Sequence, residues 1–510
     1  MKHSKVISTL ATLLISCSLQ AQDFMIDSTL KERYPFVDWS RNRLDFYGDA
    51  PNFERLFEKL DSLYDGQESR LNFFHIGGSH IQADIYSHRI RRYLHNLQPH
   101  TKGPLGFIFP YTMAGTNNPW NYLVEYEGEW EGHRNSVMTH ESTWGLQGIT
   151  ASTTDSTAKF RISNRPNLIY RYNYDRVKLF HQPWKDSIYC IQPTNMADVE
   201  WIYTNREGNY TEIKFKEARE DVEIEIYRDQ DAAGEFVTMG MELTNDDPGV
   251  VYHSIGVNGA SFGSYERCEL WEEQLSMYKP DFFLISIGTN DTYVVDFDST
   301  LYEERYERML KTILRANPEC AIVLGVPNDS YFKRRYANPH TATAARVIER
   351  LAKKYDMAVW NFYEIMGGLG SAQHWYKNKL MPYDRIHFTA KGYDIKGDLF
   401  ITAFFDAWDR FAKRDTGYLY YKHLDPEDKL KYYSECVCKP VPKPSNYQYT
   451  PNTYQTTDSG NYKYYTIRSG DTLWDIAVAN GTSVARIQQL NPGINPRNLK
   501  IGQRIKVGTR

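Results

Sequence analysis

Four short segments, far apart in the chain, hold residue types that together do acyl-transfer chemistry. Ser79 stands in NFFHIGGSHIQAD, where an apolar run breaks at two glycines. Gly259 stands in IGVNGASF, Asn290 in ISIGTND, and Asp384 and His387 in YDRIHFTAKGY. A serine hydroxyl is a poor nucleophile at neutral pH and needs a base within hydrogen-bond reach. His387 is suited to take that proton, and Asp384, three residues earlier, to hold the imidazole tautomer. The attacked carbonyl becomes an oxyanion, for which the backbone N–H of Ser79, the backbone N–H of Gly259 and the side-chain amide of Asn290 are the candidate donors. Glycine at 259 lets the backbone approach a substrate closely. Each piece alone is ordinary: a serine after two glycines marks a turn, an Asp-x-x-His caps a helix, and an asparagine caps the next element. Their joint occurrence, in this order, three after apolar runs and the last just ahead of a long helix, is what points to catalysis.

The elements that must position these residues follow a repeated rhythm. LNFFHI, VVYHSIGV, DFFLISIG, CAIVLGV and MAVWNF are short apolar runs. Between and after them lie helical patterns: Gln82 to Leu97, YERCELWEEQLSMY, LYEERYERMLKTILRA, TATAARVIERLAKKY and Thr389 to Phe411. The mature chain up to about Arg70 also reads as helical and polar, with PNFERLFEKLDSLYDG at helical spacing. Alternation of this kind predicts a parallel sheet with helices on both faces. In such open sheets, sites form outside the carboxyl ends of the strands, where all four segments fall. From about Tyr122 to Asp246 the pattern changes to alternating stretches such as TAKFRIS, RVKLFHQ, TEIKFKE and VEIEIYR. These predict a β-sandwich or jelly roll inserted into the α/β domain. Trp120, Trp130 and Trp144, near its start, are candidates for contact with glycans. His75, His80, His253 and His374 read as structural rather than catalytic.

The 510 residues suffice for several domains; 41% are hydrophobic and 24% charged, as in a chain that buries a core. A net charge of −4 without a long basic run argues against nucleic-acid binding. MKHSKVISTLATLLISCSLQAQDF has a positive start, a short apolar run and small residues, which predicts an export signal cut after Ala21. A rival cut before Cys17 would make a lipoprotein. No later stretch is long and apolar enough for a transmembrane helix. Cys190, Cys268, Cys320, Cys436 and Cys438 suit no metal site by spacing, and a domain of this size does not need disulfides. Past Tyr432, CVCKPVPKPSNYQYTPNTYQTTDSG reads as an extended linker. The last segment, YKYYTIRSGDTLWDIAVANGTSVARIQQLNPGINPRNLKIGQRIKV, is patterned strand, helix, helix, strand.

The four segments resemble those of the SGNH (GDSL-type) hydrolases, over about Leu71 to Phe411 less the insert. GTND and DRIHFTAKGY are specific in combination. GGSHIQAD, FPYTMAGTNN, IGVNGASF and DRIHFT look most like the peptidoglycan O-acetylesterases of Gram-negative bacteria. The resemblance implies a flavodoxin-like parallel sheet, a jelly-roll module similar to carbohydrate-binding modules after the first segment, and hydrolysis of acetyl groups on O-6 of muramic acid. It implies no metal and no cofactor. One departure stands out: the family usually has aspartate where Gly78 stands. That aspartate supports the turn and is not a reacting group, so Gly78→Asp is expected to keep or raise the rate. The final segment resembles LysM, a small βααβ module that binds N-acetylglucosamine-containing glycans. The resemblance places its groove between a first loop, with Gly470, Asp471 and Thr472, and a second, with Asn491 and Pro492.

The expected organisation is a signal peptide at 1–21 and an SGNH domain at 22–121 and 247–432. A carbohydrate-binding-module-like β-sandwich occupies 122–246, a linker 433–460 and LysM 461–510. The expected function is an exported serine esterase of the periplasm or cell envelope. It would deacetylate peptidoglycan through an acetyl-enzyme, with peptidoglycan strands carrying O-acetylated muramic acid and N-acetylglucosamine as partner. The alternatives are a glycan-binding protein whose catalysis has lapsed at Gly78, and an esterase for another acetylated polysaccharide.

Overall fold

The computed structural model describes residues 28–419 except 69, 166–170, 183–188 and 229–233, and residues 462–509 except 468–472, 474–475, 478–479, 481, 483, 496–498 and 501. The expected export signal (1–21) and linker (433–460), and with them Cys17, Cys436 and Cys438, lie outside the described residues. The chain divides into two compact units, Met1–Lys431 and Tyr432–Arg510.

The apolar runs of the first unit form one six-stranded sheet. In spatial order its strands are Asp45–Phe46, Ala358–Trp360, Ala321–Gly325, Phe282–Ser286, Arg70–Gly77 and Gly249–Gly256. All neighbours are parallel except the edge strand Asp45–Phe46, which runs antiparallel to Ala358–Trp360. The parallel strands are buried almost throughout because helices cover the sheet. Those helices carry ordinary start signals. Pro51–Tyr64 begins with proline and buries Phe53, Leu56, Phe57, Leu60 and Leu63. Ser299–Ala316 is capped by the Asp298 carboxylate, which accepts from the N–H of Thr300 and Leu301. Ala390–Phe411 is capped by the Thr389 hydroxyl, which accepts from the N–H of Gly392.

Two predicted helices are each broken in the structure. The pattern from Gln82 to Leu97 is a turn of helix at Ser79–Gln82 and a second helix at Tyr86–His95. Between them Asp84 takes a left-handed conformation (φ 44°). Long-range partners hold it there: Arg91 Nη1 (3.0 Å) and Asn121 Nδ2 (2.7 Å) both donate to its Oδ2. Local spacing cannot report such partners. Likewise YERCELWEEQLSMY is not one helix: a short helix, Phe262–Tyr265, ends at its first residue, set by the capping box of Ser261 and Ser264, and helix resumes only at Trp271–Ser276.

The insert is a sandwich of two antiparallel sheets. One has the path Val199–Asn205, Tyr210–Arg219, Tyr174–His181, Phe236–Thr244, Ile149–Thr153, Glu131–Arg134, with Gly106–Ile108 also paired to Phe236–Thr244. The other is Tyr122–Glu127, Thr157–Asn164, Asp221–Arg228, Tyr189–Pro193. Gly106–Ile108 precedes the boundary expected at residue 122, so the sandwich recruits a strand from the hydrolase side. One apolar core runs through both: Phe107 stacks on Phe180 of the sandwich at 5.3 Å and meets Tyr278 of the α/β domain at 5.2 Å. Trp144 belongs to this core, 3% exposed, and is not a glycan platform; Trp130 packs against the core, while Trp120 is 67% exposed beneath the Arg165 guanidinium.

In the second unit Tyr462–Thr466 pairs antiparallel with Arg504–Thr509, and the helix Val484–Leu490 packs with them around Ile467, Leu473, Ile476, Ile487, Ile505 and Val507.

Candidate active site

The structure brings the separated segments to one rim of the parallel sheet. Strand Arg70–Gly77 delivers its chain into a turn at Gly78, and Ser79 opens the short helix that follows. The Ser79 Oγ lies 2.7 Å from His387 Nε2, and His387 Nδ1 lies 2.9 Å from Asp384 Oδ2. The turn that bears Asp384 and His387 is braced from two sides. Asp384 Oδ1 accepts from the N–H of Ile386 (2.9 Å) and of His387 (3.1 Å), and Asn328 Nδ2 donates to Ile386 O at 3.1 Å. Partial burial pushes the Asp384 carboxyl up, but the His387 ring and the two backbone amides outweigh it and bring its pKa to about 2. Asp384 is therefore a carboxylate at any physiological pH, as a tautomer-holding acceptor must be.

Opposite the serine lies a cleft of ≈520 Å³ whose lining includes Ser79, Gly259, Asn290, His387 and Tyr293. Gly259 sits in the left-handed region (φ 82°), in a turn closed by the Ala260 N–H donating to Val257 O at 3.0 Å. Asn290 Nδ2 donates to Ala260 O at 2.9 Å, which fixes the amide beside that turn and leaves its second N–H for the cleft. Asp291 ties the same two segments together, its Oδ1 accepting from the Phe262 N–H at 3.1 Å; burial raises its pKa to about 7.

Several residues that hold the site were not singled out from sequence. Gln82, read only as the start of a helix, is buried and bridges three segments. Its Oε1 accepts from the Asn258 N–H (2.7 Å), and its Nε2 donates to Asn117 O (2.9 Å). The Asn258 side chain donates to Asn117 Oδ1 at 2.7 Å. The four-residue distance from Gly78 to Gln82 was visible, but its partners lie in other segments. His80 is structural, as expected: its Nδ1 pairs with Tyr393 OH at 2.9 Å, and burial, helped by nearby Lys396, keeps the ring neutral. Lys396 itself is buried among the faces of Phe362 (4.5 Å), Tyr86 (4.7 Å) and Phe388 (5.4 Å), and burial lowers its pKa to about 7.

At Gly78 the backbone is not one that needs glycine (φ −95°, ψ −138°). The constraint is space: an added Cβ would come within 3.1 Å of Asn290 Nδ2 and 3.4 Å of Ala260 O. Any side chain there must displace the Asn290 amide by a few tenths of an ångström. Gly78→Ala is therefore expected to lower kcat on p-nitrophenyl acetate by about threefold to tenfold, a part of the loss of one oxyanion donor, with thermal stability little changed. Unchanged kcat would show that Asn290 yields freely, and would leave intact the expectation that aspartate keeps or raises the rate.

Of the LysM residues, Gly470, Asp471 and Thr472 lie outside the described residues. Asn491 is committed to the fold. Its Nδ2 donates to Ile487 O and Lys506 O, each at 2.7 Å, and its Oδ1 accepts from the Lys506 N–H at 2.9 Å. These bonds pin the helix end to the last strand, so Asn491 shapes the second loop and has little left for a ligand. Pro492 follows it, exposed. Among the described residues, no group of three His, Cys, Asp or Glu side chains is placed to hold a metal, and no helix is long and apolar enough to cross a membrane.

The parallel sheet with its covering helices is the fold that the SGNH resemblance implied. Residues 228–395 match the GDSL-like Lipase/Acylhydrolase family, and residues 465–508 match the LysM domain. The first match starts inside the insert and so omits Ser79, which the insert separates from the rest of the domain. A solved peptidoglycan O-acetylesterase superposes on 72% of this chain and 99% of its own, with a TM-score of 0.57 and 18% identity, a likeness of fold. Over 56 residues the chain is 48% identical to an endolysin of Bacillus phage PZA, and over 53 residues 42% identical to an autolysin of Enterococcus faecalis. Those matches take in 11% and 10% of this chain, and the chain spans only 21% and 7% of the two relatives. The chain thus carries a GDSL-like lipase/acylhydrolase domain and, at its end, a LysM domain.

Proposed function

We propose that this protein is an exported serine esterase that removes O-acetyl groups from peptidoglycan, held at the cell envelope by LysM. The observation that carries the reading is the unbroken chain from Ser79 Oγ through the His387 ring to Asp384, facing a cleft that holds the candidate oxyanion donors. His387 Nε2 takes the Ser79 proton as Oγ attacks the acetyl carbonyl carbon. The carbonyl oxygen becomes an oxyanion held by the N–H groups of Ser79 and Gly259 and the Asn290 amide. Collapse breaks the bond to the sugar oxygen, which leaves with the proton from His387, and acetyl stays on Oγ. Water, deprotonated by His387, then attacks the acetyl-enzyme, releasing acetate and restoring the serine. No metal or cofactor is needed for these steps.

The substrate assignment is supported by the glycan-binding class of LysM and by the solved fold neighbour, itself a peptidoglycan O-acetylesterase. A module that holds the enzyme on the polymer raises the local concentration of acetyl esters without touching the chemistry. The test is acetate release from purified O-acetylated peptidoglycan and, in parallel, from acetylated xylan, at matched acetyl content. The expected result is a kcat/KM at least about tenfold higher on peptidoglycan, about 1.4 kcal/mol of discrimination or more. Preference for xylan would make the enzyme an esterase of another polysaccharide. Pull-down on peptidoglycan with no acetate from either polymer would leave a binding protein.

A further inference from the structure

We infer that Ser136, on a loop of the β-sandwich insert, is a positioning residue for the oxyanion donor Gly259, so that the insert completes the active site of the hydrolase domain. The inference rests on the esterase reading above. Val257, Asn258, Gly259 and Ala260 form a β-turn, closed by the Ala260 N–H on Val257 O at 3.0 Å, with Gly259 third and at φ 82°. That is the geometry of a type II turn. Type I and type II turns differ by a flip of the central peptide, here the one that joins Asn258 to Gly259. With glycine third, both states are sterically open.

The flip decides whether the site has its donor. In a planar trans peptide the C=O and the N–H point in opposite directions. The orientation that directs the Gly259 N–H into the cleft directs Asn258 O away from it. In the structure Ser136 Oγ donates to Asn258 O at 2.7 Å. This hydrogen bond exists only in the productive orientation; a flip would break it and aim a carbonyl at the developing oxyanion. The other bonds to this turn do not discriminate between the two states. Gln82 holds the preceding N–H, and Thr116 and Asn117 hold the Asn258 side chain. Gly259 has no side chain to hold it: the nearest atoms to a Cβ built there are Ser136 Oγ at 3.5 Å and Ser136 Cβ at 3.6 Å.

Ser136 is itself fixed, and from the right place. Arg267 Nη1 donates to the carbonyls on either side of it, Asn135 O at 2.8 Å and Val137 O at 2.9 Å, while its Nη2 donates to His140 O. Asn135 Nδ2 reaches Cys268 Sγ at 3.3 Å, and the Trp144 ring lies under the Arg267 guanidinium at 4.6 Å. Arg267 stands eight residues after Gly259, so one short segment of the hydrolase domain carries both the donor and the clamp for the serine that orients it.

The experiment compares the full-length wild type, Ser136→Ala, Ser136→Thr and Ser79→Ala on p-nitrophenyl acetate, with kcat, KM and Tm measured for each. Ser136→Ala is expected to lose about fivefold to tenfold in kcat, one neutral hydrogen bond's worth, with KM within about twofold and Tm nearly unchanged. Ser136→Thr, which keeps the hydroxyl, is expected to stay within about threefold of wild type. Wild-type kcat in Ser136→Ala, or an equal fall in both variants, would overturn the inference while Ser79→Ala remains inactive. Activity retained in Ser79→Ala would instead overturn the esterase reading on which it rests.

Discussion

Ser79→Ala is expected to lower kcat on p-nitrophenyl acetate by at least about a thousandfold and to leave both Tm and binding to peptidoglycan unchanged. The size follows from what remains. Without Oγ the His387 ring still faces the cleft, and the proposed oxyanion donors at residues 79, 259 and 290 remain, so water attack is expected to continue at a residual rate. What is lost is the positioned nucleophile and the covalent intermediate it makes possible. Stability is spared because Oγ pairs with His387 Nε2, whose side chain is 40% exposed and can turn to water instead. Truncation therefore strands no buried polar atom. The LysM module is a separate compact unit and should hold glycan as before. Equal turnover by both proteins would mean that Ser79 is not the nucleophile, whatever its distance to His387. Loss of activity together with a fall in Tm of several degrees would point to misfolding of the turn, and Ser79→Gly or Ser79→Cys would then be needed to separate chemistry from stability.

The parallel sheet was legible because its strands are buried on both faces, and such strands read as continuous apolar runs whatever surrounds them. The rim residues were legible for a different reason: Ser79, Asn290, Asp384 and His387 each follow a run or precede a long helix, and few residue types can do their chemistry. What escaped is what long-range partners decide. The break at Asp84 looks like ordinary helix in the sequence, because the cost of φ 44° is offset by Arg91 and Asn121, which lie seven and thirty-seven residues away. Trp144 looked like a ring available to sugar, because burial between sheets leaves no mark on one residue. Asn491 sat where a groove residue was expected, yet its amide is spent on Ile487 and Lys506. Ser136 had no signal at all. Its role comes from one carbonyl in a segment more than a hundred residues later.

Asp384→Asn is expected to cost about 10³-fold to 10⁴-fold in kcat with the fold intact, and the geometry says why the change is so clean. Asp384 divides its work between its two oxygens. Oδ1 accepts from the backbone N–H of Ile386 and His387 and holds the turn; Oδ2 accepts from His387 Nδ1. An asparagine can keep the first task, since its carbonyl oxygen accepts the same two N–H groups. It then turns its NH₂ toward His387 Nδ1. An NH₂ donates, so Nδ1 becomes the acceptor and the ring proton moves to Nε2. That nitrogen now donates to Ser79 Oγ at the distance where it should accept, and the base is lost without moving a heavy atom. Asp384→Ala would free the two backbone amides as well, so a comparison of Tm between the two variants separates the tautomer role from the turn role: little change with asparagine, a measurable drop with alanine. The pH profile supplies a second check. With a pKa of about 2, the Asp384 carboxylate stays ionised through the acid range in which esterases are assayed. Any acid limb in the wild-type kcat/KM profile between about pH 4 and 7 thus reports another group, and Asp384→Asn should lower the whole profile. An Asp384→Asn enzyme that retained more than about a tenth of wild-type kcat would show that the carboxylate is a brace for the turn and that His387 takes its tautomer from elsewhere.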